Sequence, residues 1–247
     1  MSERKSTVSE HLIELRSRLL RSMIFLIFAF IICYIFSDKI YNFLVDPYAQ
    51  AVKGDGQNRR LIFTALHETF LTYLKLAFFS AFFFSFPLIL NQIWKFIAPG
   101  LYKDEKLALL PFLVATPILF LLGGMLVYYL IMPLAIDFFL SFETASTNGS
   151  LPIQLEAKVN EYLSLIMRLI IAFGISFQLP VLLTLLGKVG FITSEYLKTR
   201  RKYVIIIIFS LAAVLTPPDP ITQIGLALPL LLLYEISIYT VRFVEKK

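Results

Sequence analysis

Six long apolar segments, separated by short polar connections, constrain this chain more than any other feature of its sequence. A helix needs about 20 apolar residues to cross a bilayer core of about 30 Å. The chain has 247 residues, 58% of them hydrophobic, and can hold six such helices. The segments are 18–37, 70–94, 107–136, 161–187, 203–216 and 221–241. We therefore predict an all-α integral membrane protein with six transmembrane helices, forming a single polytopic membrane domain over residues 1–247.

Basic residues are divided unevenly between the connections. Sixteen lie at the two termini and in the connections after the second and fourth segments, against five in the other connections. Because cytoplasmic loops carry the excess of lysine and arginine, this asymmetry predicts that both termini are cytoplasmic. The net charge of +6 therefore reflects membrane topology rather than nucleic-acid binding.

Two features predict irregular spans. Proline occurs repeatedly within the apolar segments, where each ring removes a backbone donor and favours a kink; the positions are Pro87, Pro111, Pro117, Pro133, Pro180 and Pro229. The fifth segment, 203–216, would form a helix only about 21 Å long, and the apolar part of the sixth is also short. We therefore predict kinked helices and short helices 5 and 6.

Motifs that would indicate an enzyme are missing from the sequence. It has no H-E-x-x-H, no phosphate-binding glycine loop and no G-x-S-x-G, and its two histidines are predicted at the inner interface (His11) and in an outer loop (His67). A lone cysteine, Cys33, excludes an intramolecular disulfide and a cysteine metal cluster. We predict a protein that is not an enzyme and needs no cofactor or metal.

Two carboxylates next to the predicted inner face are candidates for binding. The stretch 7–10 (TVSE) fits a capping box, so a helix should begin near residue 8 and run into the first span. On this helix Glu14 lies four residues before Arg18, and spacing alone favours an ion pair on a solvated face. For Glu105, spacing alone favours a solvated charge that helps the third helix to begin.

Four stretches of the chain resemble one protein family. They are 11–16 (HLIELR), 92–101 (QIWKFIAPGL) running into Glu105, 172–180 (AFGISFQLP) and 215–219 (LTPPD). Together, in this order, they resemble the TatC family, the polytopic core of the twin-arginine protein translocase. The resemblance implies a receptor in the cytoplasmic membrane of a prokaryote that binds signal peptides carrying paired arginines. It also implies transport of folded proteins, driven by the proton motive force, in a homo- or hetero-oligomer with small single-span subunits of the TatA and TatB type.

The resemblance also implies roles for individual residues. It assigns arginine recognition to Glu14 and Glu105, and it places Arg16, Phe96 and Pro99 in the same signal-peptide site. Two carboxylates could each bind a guanidinium through two oxygens and so distinguish arginine from lysine. For Phe96 and Pro99, a role in packing the loop is an equal alternative.

Further positions match the family in other spans and loops. Thr216 and Gln223 match a region that binds the single-span partners, although both side chains could instead cap the ends of the last hairpin. Gln178 stands in mid-membrane where many members have a glutamate, and because an amide cannot titrate, proton coupling would need another group. The resemblance gives structural roles to Pro47, Pro180 and Asp219.

The alternative function is that of a proton- or ion-coupled secondary transporter of small molecules, which would also explain six spans rich in proline. Transporters usually place ionisable or unwound sites near the membrane midplane. Here the candidate carboxylates lie at the predicted inner interface, which favours the receptor.

Overall fold

The computed structural model describes residues 8–53, 60–97, 110–144, 151, 153–216 and 219–245, and the regular elements in this part of the chain are all helical. They are α1 (Val8–Ile35), α2 (Ser37–Val52), α3 (Glu68–Ile97), α4 (Leu110–Leu126), a π-helical turn (Val127–Ile131), α5 (Met132–Leu140), α6 (Val159–Ser176), α7 (Leu179–Lys188), α8 (Ser194–Leu215) and α9 (Pro220–Glu245). The predicted all-α fold is confirmed. The described part of the first helix runs from Val8, and its predicted capping box at 7–10 lies partly outside the described residues.

Among the described residues, five helical segments are long and apolar enough to cross a membrane. They are Leu12–Ile35, Glu68–Ile93, Pro111–Leu140, Val159–Lys188 and Pro220–Glu245. They cover five of the six predicted spans. The remaining one, 203–216, lies in α8, where four basic residues between 198 and 202 precede the apolar half of the helix. The six-span count and the cytoplasmic termini therefore stay predictions.

The last two helices are longer than the apolar segments that predicted them. Helix α8 has 22 residues and α9 has 26, which corresponds to about 33 Å and 39 Å. The predicted helices 5 and 6 correspond to α8 and α9, and the prediction that they are short is wrong. Helix α8 begins, and α9 ends, with charged residues outside the apolar segments. What is short is the apolar part of α8.

Helix α2 lies in the first connection, where the sequence analysis identified only a polar segment. Its buried residues recur at helical spacing and include Leu44, Pro47 and Tyr48. Pro47 has no N–H for the carbonyl of Phe43, four residues earlier. The hydroxyl of Tyr128 donates to that carbonyl at 2.8 Å, and its ring stacks on Phe43 with 4.4 Å between centroids. Tyr128 thus replaces the donor that Pro47 lacks.

Two of the predicted spans are interrupted. The third consists of α4, the π-helical turn and α5, with Pro133 in the first turn of α5. The fourth is divided between α6 and α7 by a turn at Phe177 and Gln178, and Pro180 lies in the first turn of α7. In contrast, Pro87 and Pro229 lie inside α3 and α9 without ending either helix.

The chain separates into two compact units. The first comprises Met1–Ile40 and Tyr73–Ile118, and its core contains small residues of α1 and α3, with Cys33, Ala77 and Ala81 buried together. The second comprises Tyr41–Thr72 and Leu119–Lys247. Compact packing alone distinguishes the two units, so the single membrane domain stays a prediction.

Close backbone packing defines the interior of the second unit. A Cβ added to Gly123 would lie 2.7 Å from the carbonyl oxygen of Phe173, and one added to Gly174 would lie 2.5 Å from the ring of Phe120. Glycine therefore lets α4 and α6 approach more closely than a side chain would permit.

Candidate functional site

Glu14 lies on the exposed first half of α1 and holds an arginine of the same helix. Its Oε1 accepts hydrogen bonds from Nε of Arg18 at 3.0 Å and from Nη2 at 2.5 Å. The Glu14 side chain is 33% exposed and that of Arg18 is 18% exposed. The spacing of four residues places both side chains on one face, as the sequence analysis described.

This pair shows what the Glu14 carboxylate can do. Both guanidinium donors converge on one oxygen, and within the described residues Oε2 has no hydrogen-bond partner. A charged carboxylate with a free oxygen can accept from a further donor, and guanidinium is the planar cation that suits it. In this structure Glu14 forms the intrahelical ion pair that spacing alone favours.

The other residues predicted to bind a signal peptide are placed only in part. Arg16 is exposed on α1, and Phe96 is half-buried near the end of α3. Glu105 and Pro99 lie outside the described residues, so the second carboxylate has no position relative to Glu14. Leu12, Leu15 and Leu19 form an exposed apolar face on α1, beside the charged one.

The end of α8 and the start of α9 contain the second predicted site, and polar side chains there bond to their own chain. The Thr216 hydroxyl is buried and donates to the carbonyl of Ala212 at 2.8 Å. Gln223 donates from Nε2 to the carbonyl of Phe209 at 3.5 Å, a long contact between the two helices. These contacts favour the alternative in which both residues stabilise the end of the hairpin.

Asp219 caps α9. Its Oδ2 accepts from the backbone N–H of Thr222 at 2.7 Å, and its Oδ1 accepts from the Thr222 hydroxyl at 2.6 Å. The side chains of both residues are buried. A carboxylate at this position satisfies an amide that has no partner within the helix and interacts favourably with the helix dipole.

Gln178 lies at the turn between α6 and α7. Its Nε2 donates to the carbonyl of Gly174 at 3.4 Å. The backbone N–H of Gln178 bonds instead to Ile175 at 2.9 Å, which leaves the Gly174 carbonyl without its usual helical donor. The carbonyl that Pro180 leaves without a helical donor is that of Ser176, two residues after the acceptor that the Gln178 amide contacts.

Sequence reasoning missed three contacts that join the charged end of α8 to α9. Glu245 accepts from the backbone N–H and the hydroxyl of Ser194, each at 2.7 Å. Arg201 pairs with Glu235 at 2.6 Å, and the Tyr234 hydroxyl donates to the Leu197 carbonyl at 2.7 Å. The partners are more than 30 residues apart, and only the arrangement of α8 and α9 as antiparallel neighbours could have indicated them.

Metal-ligating side chains do not converge in the part of the chain that the structure describes. No group of three or more histidine, cysteine, aspartate or glutamate side chains there is arranged to hold an ion.

Comparison with known proteins gives a consistent result. The family model described as Sec-independent protein translocase protein (TatC) matches residues 10–229. The TatC protein of Magnetococcus marinus is 49% identical over 245 residues, covering 99% of this chain and 87% of the relative. That of Escherichia coli is 38% identical and covers 94% of this chain and 87% of the relative. A crystal structure titled as the twin arginine translocase receptor TatC superposes with a TM-score of 0.79 at 36% identity, covering 95% of this chain and 99% of the other.

Proposed function

This chain belongs to the TatC family of Sec-independent protein translocase proteins, and we propose that it is the receptor that binds twin-arginine signal peptides for that translocase. Its role is in protein transport rather than catalysis, and its apolar helices make it a multi-pass membrane protein. Family membership favours the translocase over the secondary transporter.

The observation that carries the proposal is the Glu14 carboxylate, which already binds a guanidinium. Arg18 acts there as an internal substitute for an arginine of the signal peptide. A peptide arginine would bind Oε2 or displace Arg18, at little energetic cost because ion pairs at this spacing on a helix surface contribute only about 0.3–0.5 kcal/mol. Lysine would bind less well, since its ammonium cannot match the carboxylate in the same planar arrangement.

A second carboxylate completes the proposed site. From the resemblance we assign this role to Glu105, with Arg16, Phe96 and Pro99 shaping the same inner surface. Two carboxylates can bind consecutive arginines, and the exposed apolar face of α1 offers contacts for the hydrophobic part of a signal peptide. This arrangement requires the N-terminus on the cytoplasmic side of the inner membrane, and with six spans the C-terminus would lie on the same side.

Assembly and energy coupling form the finer part of the proposal. Single-span subunits of the TatA and TatB type would pack near Thr216 and Gln223, exchanging the internal contacts of these side chains for contacts with a partner helix. Folded cargo would then cross the membrane at the expense of the proton motive force. Because Gln178 is an amide and cannot titrate, proton coupling would involve other groups.

The test is peptide binding to the purified protein in nanodiscs, comparing a fluorescent Arg-Arg signal peptide with its Lys-Lys counterpart at fixed salt. We expect clear preference for arginine, and affinity at least about tenfold lower in Glu14→Gln and in Glu105→Gln, since a charge-assisted hydrogen bond is lost. Glu161→Gln is the matched control, because Glu161 is also a helical carboxylate paired with a nearby base, Lys158, at 3.7 Å. Equal binding of both peptides, or equal loss in the control, would reject the proposal.

A further inference from the structure

One face of α8 combines a basic and aromatic cluster with an apolar stripe. Tyr196, Arg200 and Tyr203 are spaced at i, i+4 and i+7 and therefore project on the same side of the helix. The same face continues to Ile207, Leu211 and Val214, all exposed. We refer to these six residues as the α8 stripe.

Arg200 is held between the two tyrosines of the stripe. Its guanidinium carbon lies 5.4 Å from the centroid of the Tyr196 ring and 5.6 Å from that of Tyr203. Lys202 lies over the second ring as well, at 5.2 Å. Contacts of this length are typical of cation–π interaction, which orients a cation without neutralising its charge.

Arg201, the next residue, has a carboxylate partner that Arg200 lacks within the described residues. Arg201 is paired with Glu235 at 2.6 Å, whereas within the described residues Arg200 has no carboxylate at ion-pair distance. Arg200, Lys202 and the nearby Lys198 thus form an exposed cluster with net positive charge. Such a cluster is complementary to a phosphate group.

The cluster is held in place by the packing of α8 on α9. Leu197 is buried with Tyr234, Ile238 and Val241. Glu245 fixes the first residue of the helix through Ser194. The cations are therefore presented by a rigid helix end, and binding a ligand there requires little ordering of the backbone.

The apolar half of the stripe identifies the rest of the ligand. Arg200 and Val214 are 14 residues apart, or about 21 Å along the helix, which exceeds the roughly 15 Å of one hydrocarbon leaflet. A phosphate bound at Arg200 would thus have its attached acyl chains against Ile207 and Leu211. Tyrosine rings at the level of the headgroups are typical of such an interface.

We propose that the α8 stripe is a binding site for an anionic phospholipid, whose headgroup phosphate contacts Arg200 and Lys202 between the two tyrosines and whose acyl chains lie along Ile207, Leu211 and Val214. Free phosphate has the same charged group but no acyl chain. The site is separate from the face of α1 that contains Glu14, and it does not depend on the proposed receptor function.

The test measures individual lipid binding to the full chain by native mass spectrometry, with phosphatidylglycerol and phosphatidylcholine as probes. We expect phosphatidylglycerol to be preferred. Arg200→Gln should weaken its binding by about fivefold, the contribution of one basic residue near a lipid surface. Arg168→Gln, which removes an exposed arginine on α6, is the matched control and should change binding little. Glu235→Gln should strengthen binding, because it frees Arg201.

Two further comparisons separate this site from general charge effects. Tyr196→Leu combined with Tyr203→Leu keeps every charge and should still reduce the preference, because Arg200 loses the rings that orient it. Inorganic phosphate should compete weakly. Equal losses in Arg200→Gln and Arg168→Gln would overturn the proposal, since they would indicate an unspecific effect of net charge. Competition by phosphate as effective as that by the lipid would also overturn it, because it would indicate an anion site without acyl contacts.

Discussion

Helix α1 and the pair formed by α8 and α9 use their polar groups in opposite ways. Only 11% of the apolar span in α1 is buried within the protein, against 44% of the apolar span in α9. The Glu14–Arg18 pair of α1 is local, with its partners four positions apart, whereas Glu245 and Ser194 join two helices across 51 positions. A pair within one turn of a helix can open while its helix keeps its packing, whereas breaking the Glu245–Ser194 contact removes a link between two helices. Recognition can therefore reside on α1, while polar groups of the second unit stabilise structure.

The largest effect expected on the structural side comes from Gly123→Ala. The added methyl would meet the Phe173 carbonyl at 2.7 Å and the Gly174 Cα at 3.0 Å, and neither backbone atom can move away alone. We expect a loss of about 2 kcal/mol in the free energy of unfolding, measured by denaturation in mixed micelles.

Gly225→Ala is the control for that substitution. Its methyl would meet only the end of the Ile131 side chain, at 2.8 Å, which can change rotamer. Stability should change by less than about 1 kcal/mol, because alanine also favours the helix. Equal losses in the two variants would show that backbone contact between α4 and α6 is not what makes Gly123 necessary.

A smaller structural effect is expected for Tyr128→Phe, which keeps the ring on Phe43 and removes the hydroxyl that donates to the Phe43 carbonyl. The expected loss in the free energy of unfolding is about 1 kcal/mol. In a Pro47→Ala background the new N–H at position 47 can bond the same carbonyl, so the loss on removing the hydroxyl should shrink. A double-mutant cycle measures this coupling. Additive losses would show that the Tyr128 hydroxyl does not replace the backbone N–H that Pro47 lacks.

The smallest expected effect is on peptide affinity and concerns the Glu14–Arg18 pair of α1. Arg18→Gln removes the internal competitor for Glu14 and should raise the affinity for an Arg-Arg peptide by about twofold, the value of an exposed pair at this spacing. Arg21→Gln removes the same charge from the same helix without freeing Glu14, and titrating both variants with labelled peptide separates competition from general repulsion. An unchanged or lower affinity in Arg18→Gln alone would mean that Arg18 positions the carboxylate instead.

Long apolar segments could be located from the sequence because the bilayer sets their length. Helix α2 escaped notice because its apolar residues are interleaved with polar ones, although Leu44, Pro47 and Tyr48 recur at the spacing of one helical face. The chain leaves the helix before Pro180 but continues as a helix through Pro87 and Pro229, because surrounding contacts decide whether a proline ring kinks a helix or ends it. The lengths of α8 and α9 were underestimated, because an apolar segment ends at the first charged residues whereas the helix continues through them.

The candidate site could be predicted from sequence only as far as local spacing reaches. The Glu14–Arg18 pair follows from a separation of four residues. The partners of Glu245 and Tyr234 depend on how two helices pack, which no local pattern states. The resemblance assigned Asp219 a structural role, and in the structure this residue caps α9. Its two buried hydrogen bonds with Thr222 could not be read from the stretch 215–219 (LTPPD) alone.

Recognition is thus assigned to α1 and stabilising contacts to the second unit. The most direct test of this separation compares peptide affinity and stability in two variants, Glu14→Gln and Asp219→Ala, in the same nanodiscs. Glu14→Gln should lose affinity for the Arg-Arg peptide by about tenfold, with a stability change below about 0.5 kcal/mol. Asp219→Ala should lose about 1–2 kcal/mol of stability with its cap and keep the affinity of the folded protein. If Glu14→Gln destabilises the protein as much as Asp219→Ala while peptide binding stays unchanged, Glu14 is a structural residue and recognition does not reside on α1.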